Sequence, residues 1–169
     1  MATSESCALQ MTVRPVHDSD RDWVESLTAH DFGSAVVVSR GHVHWPSTLA
    51  GLVVEAAGER IGLATLAVAG ERCEVVTLHS LRPGYGVARL LLEHAAGYAR
   101  QRGCRSLWLV TTNDNTQALR LYQRAGMRIV AVRLGAVAAS RLLKPEIPLL
   151  GNDGITIRDE IELAVDLPD

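Results

Sequence analysis

Three strand-like segments follow one another in the first half of the chain, and they constrain the fold more than any other feature. They span residues 49–57, 61–69 and 74–81, and the same four residues, AGER, occur at both breaks. Glycine beside a charged pair is typical of a hairpin turn. The pattern therefore predicts an antiparallel meander of three strands.

The periodicity changes at Gly86, where apolar residues begin to recur every three or four positions as far as Gly103. This spacing predicts an amphipathic helix that ends at the second glycine. Further along, "SLWLVTT" predicts a buried strand, "DNTQALRLYQRAG" a second amphipathic helix and "MRIVAVRL" another strand. The order of elements predicts a single α+β (mixed α/β) domain over residues 1–169, with a central, mostly antiparallel sheet flanked by helices.

The remaining segments carry weaker patterns. Residues 10–16 predict a strand, residues 18–29 a helix, "AVVVS" a β-branched strand, and residues 137–143 a short helix. "GHVHWPSTLAG" and "KPEIPLLGNDG" are typical of loops, and "ITIRDEIELAVDL" partly alternates as a strand does.

Composition excludes several classes of function. The formal charge is −2 and no basic run is long enough to form a tail, which argues against a nucleic-acid or membrane partner. Three scattered cysteines without CxxC spacing predict neither a disulfide framework nor a zinc site. The first ten residues lack the pattern of a signal peptide, and no apolar run reaches the roughly 18 residues of a membrane span. We therefore expect a soluble cytoplasmic protein.

The segment "RPGYGVARLLLEHA" places two glycines where a strand gives way to a helix. Such a turn exposes backbone N–H groups at the positive end of the helix dipole, where phosphates bind. The glycines could also simply turn a corner. A P-loop is excluded because its lysine is absent, and a dinucleotide fingerprint is disfavoured because Arg89 occupies its sixth position.

Two signatures in this half of the chain resemble those of the GNAT acetyltransferase superfamily. "PGYGVARLLLEHA" is similar to the acyl-CoA motif [QR]-x-x-G-x-[GA], with Gly86 and Ala88 at its two small positions. "NDNTQALRLYQRAGM" is similar to N-x-x-A-x-x-L-Y-x-x-x-G-F. The resemblance covers residues 49–133, with departures at Pro83, where the family has Gln or Arg, and at Met127, where it has an aromatic residue.

The resemblance implies that acetyl-CoA is the acyl donor, and we expect no metal. It implies a pyrophosphate site at residues 85–89, a pantetheine arm paired with the preceding strand, and a sheet splayed between residues 74–81 and 107–112. The implied cofactor-binding residues are Leu78, Ser80, Tyr85, Gly86, Val87, Ala88, Arg89 and Asn115. Which arginine contacts the phosphates, Arg82 or Arg89, is left open, and Asn115 could equally cap its helix.

Acyl transfer to an amine needs a base, because an alkylamine of pKa about 10.4 is mostly protonated at neutral pH. Glu74 is the first candidate, since several family members place a glutamate there; His79 is the second, and a water chain the third. Tyr122 matches the family tyrosine that protonates the departing thiolate. Each of these residues could instead be structural. Glu74 could be a solvated charge, His79 could pack on a helix, and Tyr122 could belong to the core.

Other interpretations remain beside the N-acetyltransferase. A non-catalytic acyl-CoA-binding or regulatory domain has the same fold, and only turnover distinguishes it. His42 and His44 lack a third ligand, so we interpret "HVHW" as a flap on the substrate side rather than a metal site. The apolar segment 136–150 raises a homodimer as a further hypothesis. The amine acceptor is not identified.

Overall fold

A seven-stranded mixed sheet organises residues 9–168, the part of the chain that the computed structural model describes. In spatial order its strands are β1 (Thr12–Pro15), β4 (Ala50–Ala56), β5 (Glu59–Ala69), β6 (Arg72–Ser80), β7 (Ser106–Thr112), β9 (Glu160–Asp166) and β8 (Arg128–Arg133). The other elements are a hairpin, β2 (Val37–Ser39) and β3 (His42–His44), and four helices, α1 (Arg21–Phe32), α2 (Val87–Gln101), α3 (Thr116–Arg124) and α4 (Ala136–Leu143). Cys7 and most of the segment examined for a signal peptide lie outside the described residues.

The predicted meander is confirmed, because β4, β5 and β6 pair antiparallel in sequence order. The first AGER turn is a two-residue hairpin loop in which Ala57 and Gly58 have φ of 51° and 78°. Positive φ at both positions matches the twist of the flanking strands. All neighbouring strands of the large sheet are antiparallel except β6 and β7, so the predicted fold class is confirmed as well.

Helices α2 and α3 cover one face of the sheet. Leu91, Ala95 and Ala99 of α2 are fully buried in the main apolar cluster, together with Leu107 and Leu163 of the strands beneath. The chain runs from β6 through α2 and returns to the parallel strand β7. β6 and β7 are neighbours in the sheet, and because they are parallel, their carboxyl ends lie at the same edge.

The two parallel strands separate soon after they begin. β6 and β7 pair only where residues 72–74 face residues 106–108, although both strands continue for several residues. The predicted splay between these segments is therefore confirmed, and it opens a gap in the middle of the sheet.

Two segments differ from the prediction. "GHVHWPSTLAG" contains strand β3 and a 3-10 turn, because Arg40 and Gly41 have φ of 50° and 78° and close a two-residue hairpin with β2. The last strand begins at Glu160 rather than near Ile155, because the Asn113 side chain accepts the backbone N–H groups of Arg158 and Asp159.

Candidate active site

A cavity of about 590 Å³ occupies the gap between β6 and β7. Its wall contains residues 75–78 and 109–112 of the two strands, Asn115 and Tyr122 at α3, and residues of α1, β2, α4 and β9 from the opposite face of the sheet. The gap therefore brings together groups from both faces of the sheet. A ligand that enters from the α3 side can meet one from the α4 side within it.

The glycine turn follows directly on β6. Gly86, the N-cap of α2, has φ of +77°, a conformation that glycine adopts without strain. A Cβ at Gly86 would meet nothing within 4 Å, so the space above the turn is open. The first helical bond here is donated by Leu90 to Gly86, which leaves the N–H groups of Val87, Ala88 and Arg89 available for an anion.

Both candidate arginines at this turn are exposed and held by weak ion pairs. Arg82 donates to Glu59 at 2.8 Å, and Arg89 donates to Glu93 at 3.0 Å one helical turn later. Exposed pairs of this kind contribute little. Either arginine can therefore leave its carboxylate for a phosphate, and the structure leaves open which of them would do so.

The backbone of β6 beyond Glu74 faces the gap. Leu81 donates its N–H to Ile61 of β5 at 2.9 Å. Because backbone groups of an antiparallel strand alternate in direction, those of Leu78 and Ser80 point away from β5. The backbone groups of both residues thus face the side where β7 has diverged.

A bulge interrupts β6 at the cavity wall. Thr77 pairs with Thr65 and Val75 with Leu66, so Val76 is an extra residue outside the ladder with β5. Val76 also lines the cavity. Sequence reasoning did not find this bulge, since nothing in a run of β-branched residues distinguishes one extra residue from a regular strand.

Tyr122 lines the cavity from α3 and is 9% exposed. Burial raises the pKa of its hydroxyl to about 12. Within residues 9–168 this hydroxyl has no hydrogen-bond partner. At neutral pH it is therefore protonated and able to donate into the cavity.

Asn115 caps α3, where its Oδ1 accepts the N–H of Ala118 at 3.3 Å, and it also lines the cavity. The two roles considered for it are thus compatible. Met127, which replaces the family's aromatic residue, is buried in the main apolar cluster and fills that position with an apolar side chain.

Glu74 is buried, but it is not part of the cavity wall. It lies at the closed end of the gap, opposite Trp108, and its Oε2 is 3.4 Å from His44 Nε2 of β3. It points to the face opposite Cys73 and Val75, which belong to the helix-side core. The hairpin of β2 and β3 therefore covers this carboxylate on the predicted substrate side.

His79 is turned towards α1. Its Nδ1 lies 2.6 Å from Asp31 Oδ2, and its ring meets Phe32 edge to face with centroids 5.5 Å apart. Burial lowers the pKa of the imidazole, although Asp31 opposes the shift. His79 thus packs on a helix, as the structural alternative for it predicted. Asp31 lines the cavity, and His79 does not.

The polar wall residues that were not predicted include Ser140 of α4, Lys144 directly after that helix, and Glu160 at the start of β9. Ser140 Oγ donates to Glu160 Oε1 at 3.1 Å, and Lys144 Nζ donates to Val36 O at 2.7 Å. Burial lowers the pKa of Lys144, while Glu146 opposes that shift. The alternating carboxylates of "DEIEL" in an otherwise apolar strand were the signal that could have revealed Glu160.

Comparison with known proteins identifies the family. A model of the acetyltransferase (GNAT) family matches residues 17–127. The protein YxbD of Bacillus subtilis (strain 168), which is uncharacterized, is 33% identical over 158 residues, covering 93% of this chain and 99% of YxbD. The chain therefore belongs to the GNAT acetyltransferase family.

Two further matches are to acetyltransferases. Streptothricin acetyltransferase of Streptomyces lavendulae is 49% identical over 43 residues, 25% of this chain and 23% of that protein. A GNAT family acetyltransferase from Elizabethkingia anophelis, solved with acetyl-CoA bound, has the same fold with a TM-score of 0.68 and 20% identity, covering 93% of this chain and 98% of that one.

Two further features concern membrane-spanning helices and clusters of metal ligands within residues 9–168. No helix there is both long and apolar enough to cross a membrane. No group of three or more His, Cys, Asp or Glu residues is placed there to hold a metal ion. His42 and His44 lie on the small hairpin, where His44 faces Glu74.

Proposed function

We propose that this protein is an N-acetyltransferase that moves an acetyl group from acetyl-CoA to a primary amine by direct attack through a tetrahedral intermediate. The observation that carries the proposal is the gap between β6 and β7. On one side of the gap lies the Tyr122 hydroxyl, which has no partner within residues 9–168, and on the other side lies an acidic wall. Membership of the GNAT family and the acetyl-CoA bound to the Elizabethkingia protein support the choice of donor.

The donor would bind along β6 and across the turn that follows it. The N–H groups of Val87, Ala88 and Arg89 would receive the pyrophosphate at the N-terminus of α2. Tyr85, 58% exposed, and Gly86 would form the surface over which the phosphates pass. The pantetheine amides would pair with the backbone of Leu78 and Ser80, which faces the gap, and Asn115 would contact the donor at α3.

The thioester would then lie between the bulge of β6 and Tyr122. When the amine attacks, the carbonyl oxygen becomes an oxyanion and needs a donor. The backbone N–H of Val76, which lies outside the β5 ladder, is the proposed donor. As the C–S bond breaks, Tyr122 would transfer its proton to the sulfur, so that CoA leaves as a thiol.

The amine must lose one proton before or during attack. Glu74 is the proposed base and would act through water, since it lies behind the cavity wall and beside His44. His79 is disfavoured as the base, because its Nδ1 is hydrogen-bonded to Asp31 and its ring is buried against Phe32. The proton would finally pass to solvent.

A homodimer is the proposed assembly, with the segment 136–150 as its contact. Leu142, Leu143, Leu149 and Leu150 of this segment are 85%, 50%, 70% and 61% exposed. Apolar side chains grouped in this way are typical of a contact surface.

Release of the CoA thiol in the presence of a panel of primary amines tests the proposed function. Thiol release that depends on both acetyl-CoA and an amine, with an N-acetylated product found by mass spectrometry, is the expected result. Acetyl-CoA binding by calorimetry without release for any amine would instead support a non-catalytic acyl-CoA-binding domain.

A further inference from the structure

Glu160 lines the cavity and carries a buried carboxylate oxygen that no group within residues 9–168 hydrogen-bonds. The residue is 4% exposed and lines the wall at the first position of β9. Its Oε1 accepts the hydroxyl of Ser140 at 3.1 Å, but its Oε2 is buried and has no hydrogen-bond partner within residues 9–168. A buried carboxylate oxygen is costly to leave unpaired, so this atom is suited to a partner that the protein itself does not supply.

No cation of the described residues forms an ion pair with Glu160. Arg133 faces Glu160 across the register of β8 and β9, but its Nη2 donates to Glu162 Oε2 at 2.6 Å. Its Nη1 has no hydrogen-bond partner among residues 9–168, and it makes no ion pair with Glu160 there. Lys144 donates to the carbonyl of Val36. Within the described part of the chain, therefore, no cation lies within 4.0 Å of the Glu160 carboxylate.

Two other carboxylates of the wall, the buried Asp114 and the partly exposed Asp31, already have hydrogen-bond partners for both of their oxygens. Asp114 accepts from Thr112 with one oxygen and from Asn152 with the other. Asp31 is hydrogen-bonded by His30 at one oxygen and by His79 at the other. Glu146 is exposed and can be hydrated by solvent. Glu160 is thus the buried wall carboxylate with capacity for a ligand.

Glu160 and Tyr122 lie on opposite faces of the sheet. Ile161 and Leu163 of β9 pack in the cluster that contains Tyr122, and Glu160 alternates with them. A carboxylate also stabilises a protonated amine and would oppose the deprotonation that the attacking nitrogen requires. Glu160 is therefore better suited to an ammonium group that does not react.

We propose that Glu160 Oε2 binds a second, protonated amino group of the acceptor. The acceptor would then be a diamine or a longer polyamine, and this proposal rests on the proposed function. The ammonium donates to Oε2 while Ser140 holds Oε1, and the other amino group reaches the thioester through the gap. Glu160 is a specificity-determining residue in this arrangement, and the transferred acetyl group never contacts it.

A matched pair of acceptors tests the proposal: cadaverine, which carries two amines, and pentylamine, which has the same chain with one. The wild-type kcat/KM should favour cadaverine by about tenfold or more, which corresponds to about 1.4 kcal/mol. Glu160→Gln should reduce that preference to near one through KM, and Glu160→Asp should retain part of it. Asp153→Asn, which removes an exposed carboxylate from the neighbouring loop, should keep the wild-type preference.

Binding without turnover separates this proposal from the proposed function. Cadaverine is titrated calorimetrically into wild-type and Glu160→Gln protein saturated with CoA, and thermal melts confirm that both are folded. Cadaverine binding that requires Glu160 supports the site even if no acetyl group is transferred. Three results would each overturn the proposal. The enzyme could acetylate amines without preferring cadaverine, the wild type could fail to bind cadaverine, or Glu160→Gln could lower the melting temperature without changing either property.

Discussion

Gly62 of β5 lies so close to Val87, the first residue of α2, that a Cβ on Gly62 would overlap the Val87 side chain. The same Cβ would be 3.2 Å from Leu91 Cδ1, one turn further along the helix. This contact sets how near the start of α2 can approach the sheet. It therefore also positions the N–H groups that are proposed to receive the pyrophosphate.

Gly62→Ala should destabilise the protein by about 1–3 kcal/mol, because the added methyl overpacks a filled contact. It should also weaken acetyl-CoA binding, since the turn moves with the helix. Gly97→Ala is the matched control: it lies on α2, a Cβ there meets nothing within 4 Å, and the change should stabilise by about 0.5–1 kcal/mol. Denaturant unfolding and calorimetric titration measure both effects, and equal unfolding midpoints for the two variants would contradict the prediction.

Gly86→Val should abolish most of the affinity for acetyl-CoA, because a branched side chain would occupy the open space above the turn. The positive φ costs about 1–2 kcal/mol for any residue with a Cβ. Gly103→Val is the matched control. Gly103 follows the other end of α2, has φ of +72°, and an added Cβ there also meets nothing within 4 Å, so this variant has the same backbone cost away from the turn. Both variants should melt earlier, and only Gly86→Val should lose titration heat; wild-type heat for folded Gly86→Val would remove the turn from the binding site.

Glu74→Gln should lower turnover and leave acetyl-CoA affinity nearly unchanged. The loss should shrink as pH rises towards the acceptor's own pKa of about 10.4, because a free amine needs no base. Glu71→Gln, an exposed carboxylate three residues earlier, should behave as wild type. The pH–rate profiles of the three proteins decide the matter: parallel profiles for wild type and Glu74→Gln would assign the proton transfer to water or His79.

The parts of the site that are local in sequence were predictable. The AGER turns, the glycine at the start of α2 and the apolar stripe of α3 each follow from residues within a few positions of one another. The gap between β6 and β7 and the places of Tyr122 and Asn115 beside it followed from the resemblance to the GNAT signatures that these local patterns contain.

The other half of the wall depends on contacts between distant segments, which no local pattern contains. Glu160 lies opposite Thr112 only because β9 inserts between β7 and β8. Glu74, which is proposed as the base, lies behind the wall, because β6 and β7 are still paired at that position. Sequence reasoning therefore missed Glu160, the residue that is proposed to select the acceptor.

Leu142→Glu should convert a dimer into a monomer if the segment 136–150 is the contact between subunits, because a buried, unpaired charge opposes association. Leu142 is 85% exposed in the single chain. Val68→Glu places the same charge at an exposed position on β5 and should leave the dimer intact. Light scattering over a concentration series measures the mass, and a monomeric wild type at every concentration would exclude this interface.

The raised pKa of Tyr122 predicts how stability depends on alkaline pH. Because the folded-state pKa of about 12 exceeds the usual 10, the folded protein holds this proton more tightly than the unfolded chain does. The stabilisation is complete below pH 10 and is lost as pH rises towards 12, by about 3 kcal/mol in total. Tyr122→Phe should remove this part of the pH dependence, and denaturant melts between pH 8 and 12 measure it; an equal slope for both proteins would contradict the burial of the phenol.

Tyr122→Phe also separates catalysis from packing. The ring is retained, and the hydroxyl has no partner within residues 9–168, so stability at neutral pH should change by less than about 1 kcal/mol. Loss of a general acid should reduce turnover by about 10²- to 10⁴-fold while acetyl-CoA affinity is retained. Tyr98→Phe on α2, where the ring stacks beneath Arg102, is the control and should keep full activity. If Tyr122→Phe lowers turnover by less than about threefold, the thiolate leaves without help from this residue, and Tyr122 serves only to line the cavity.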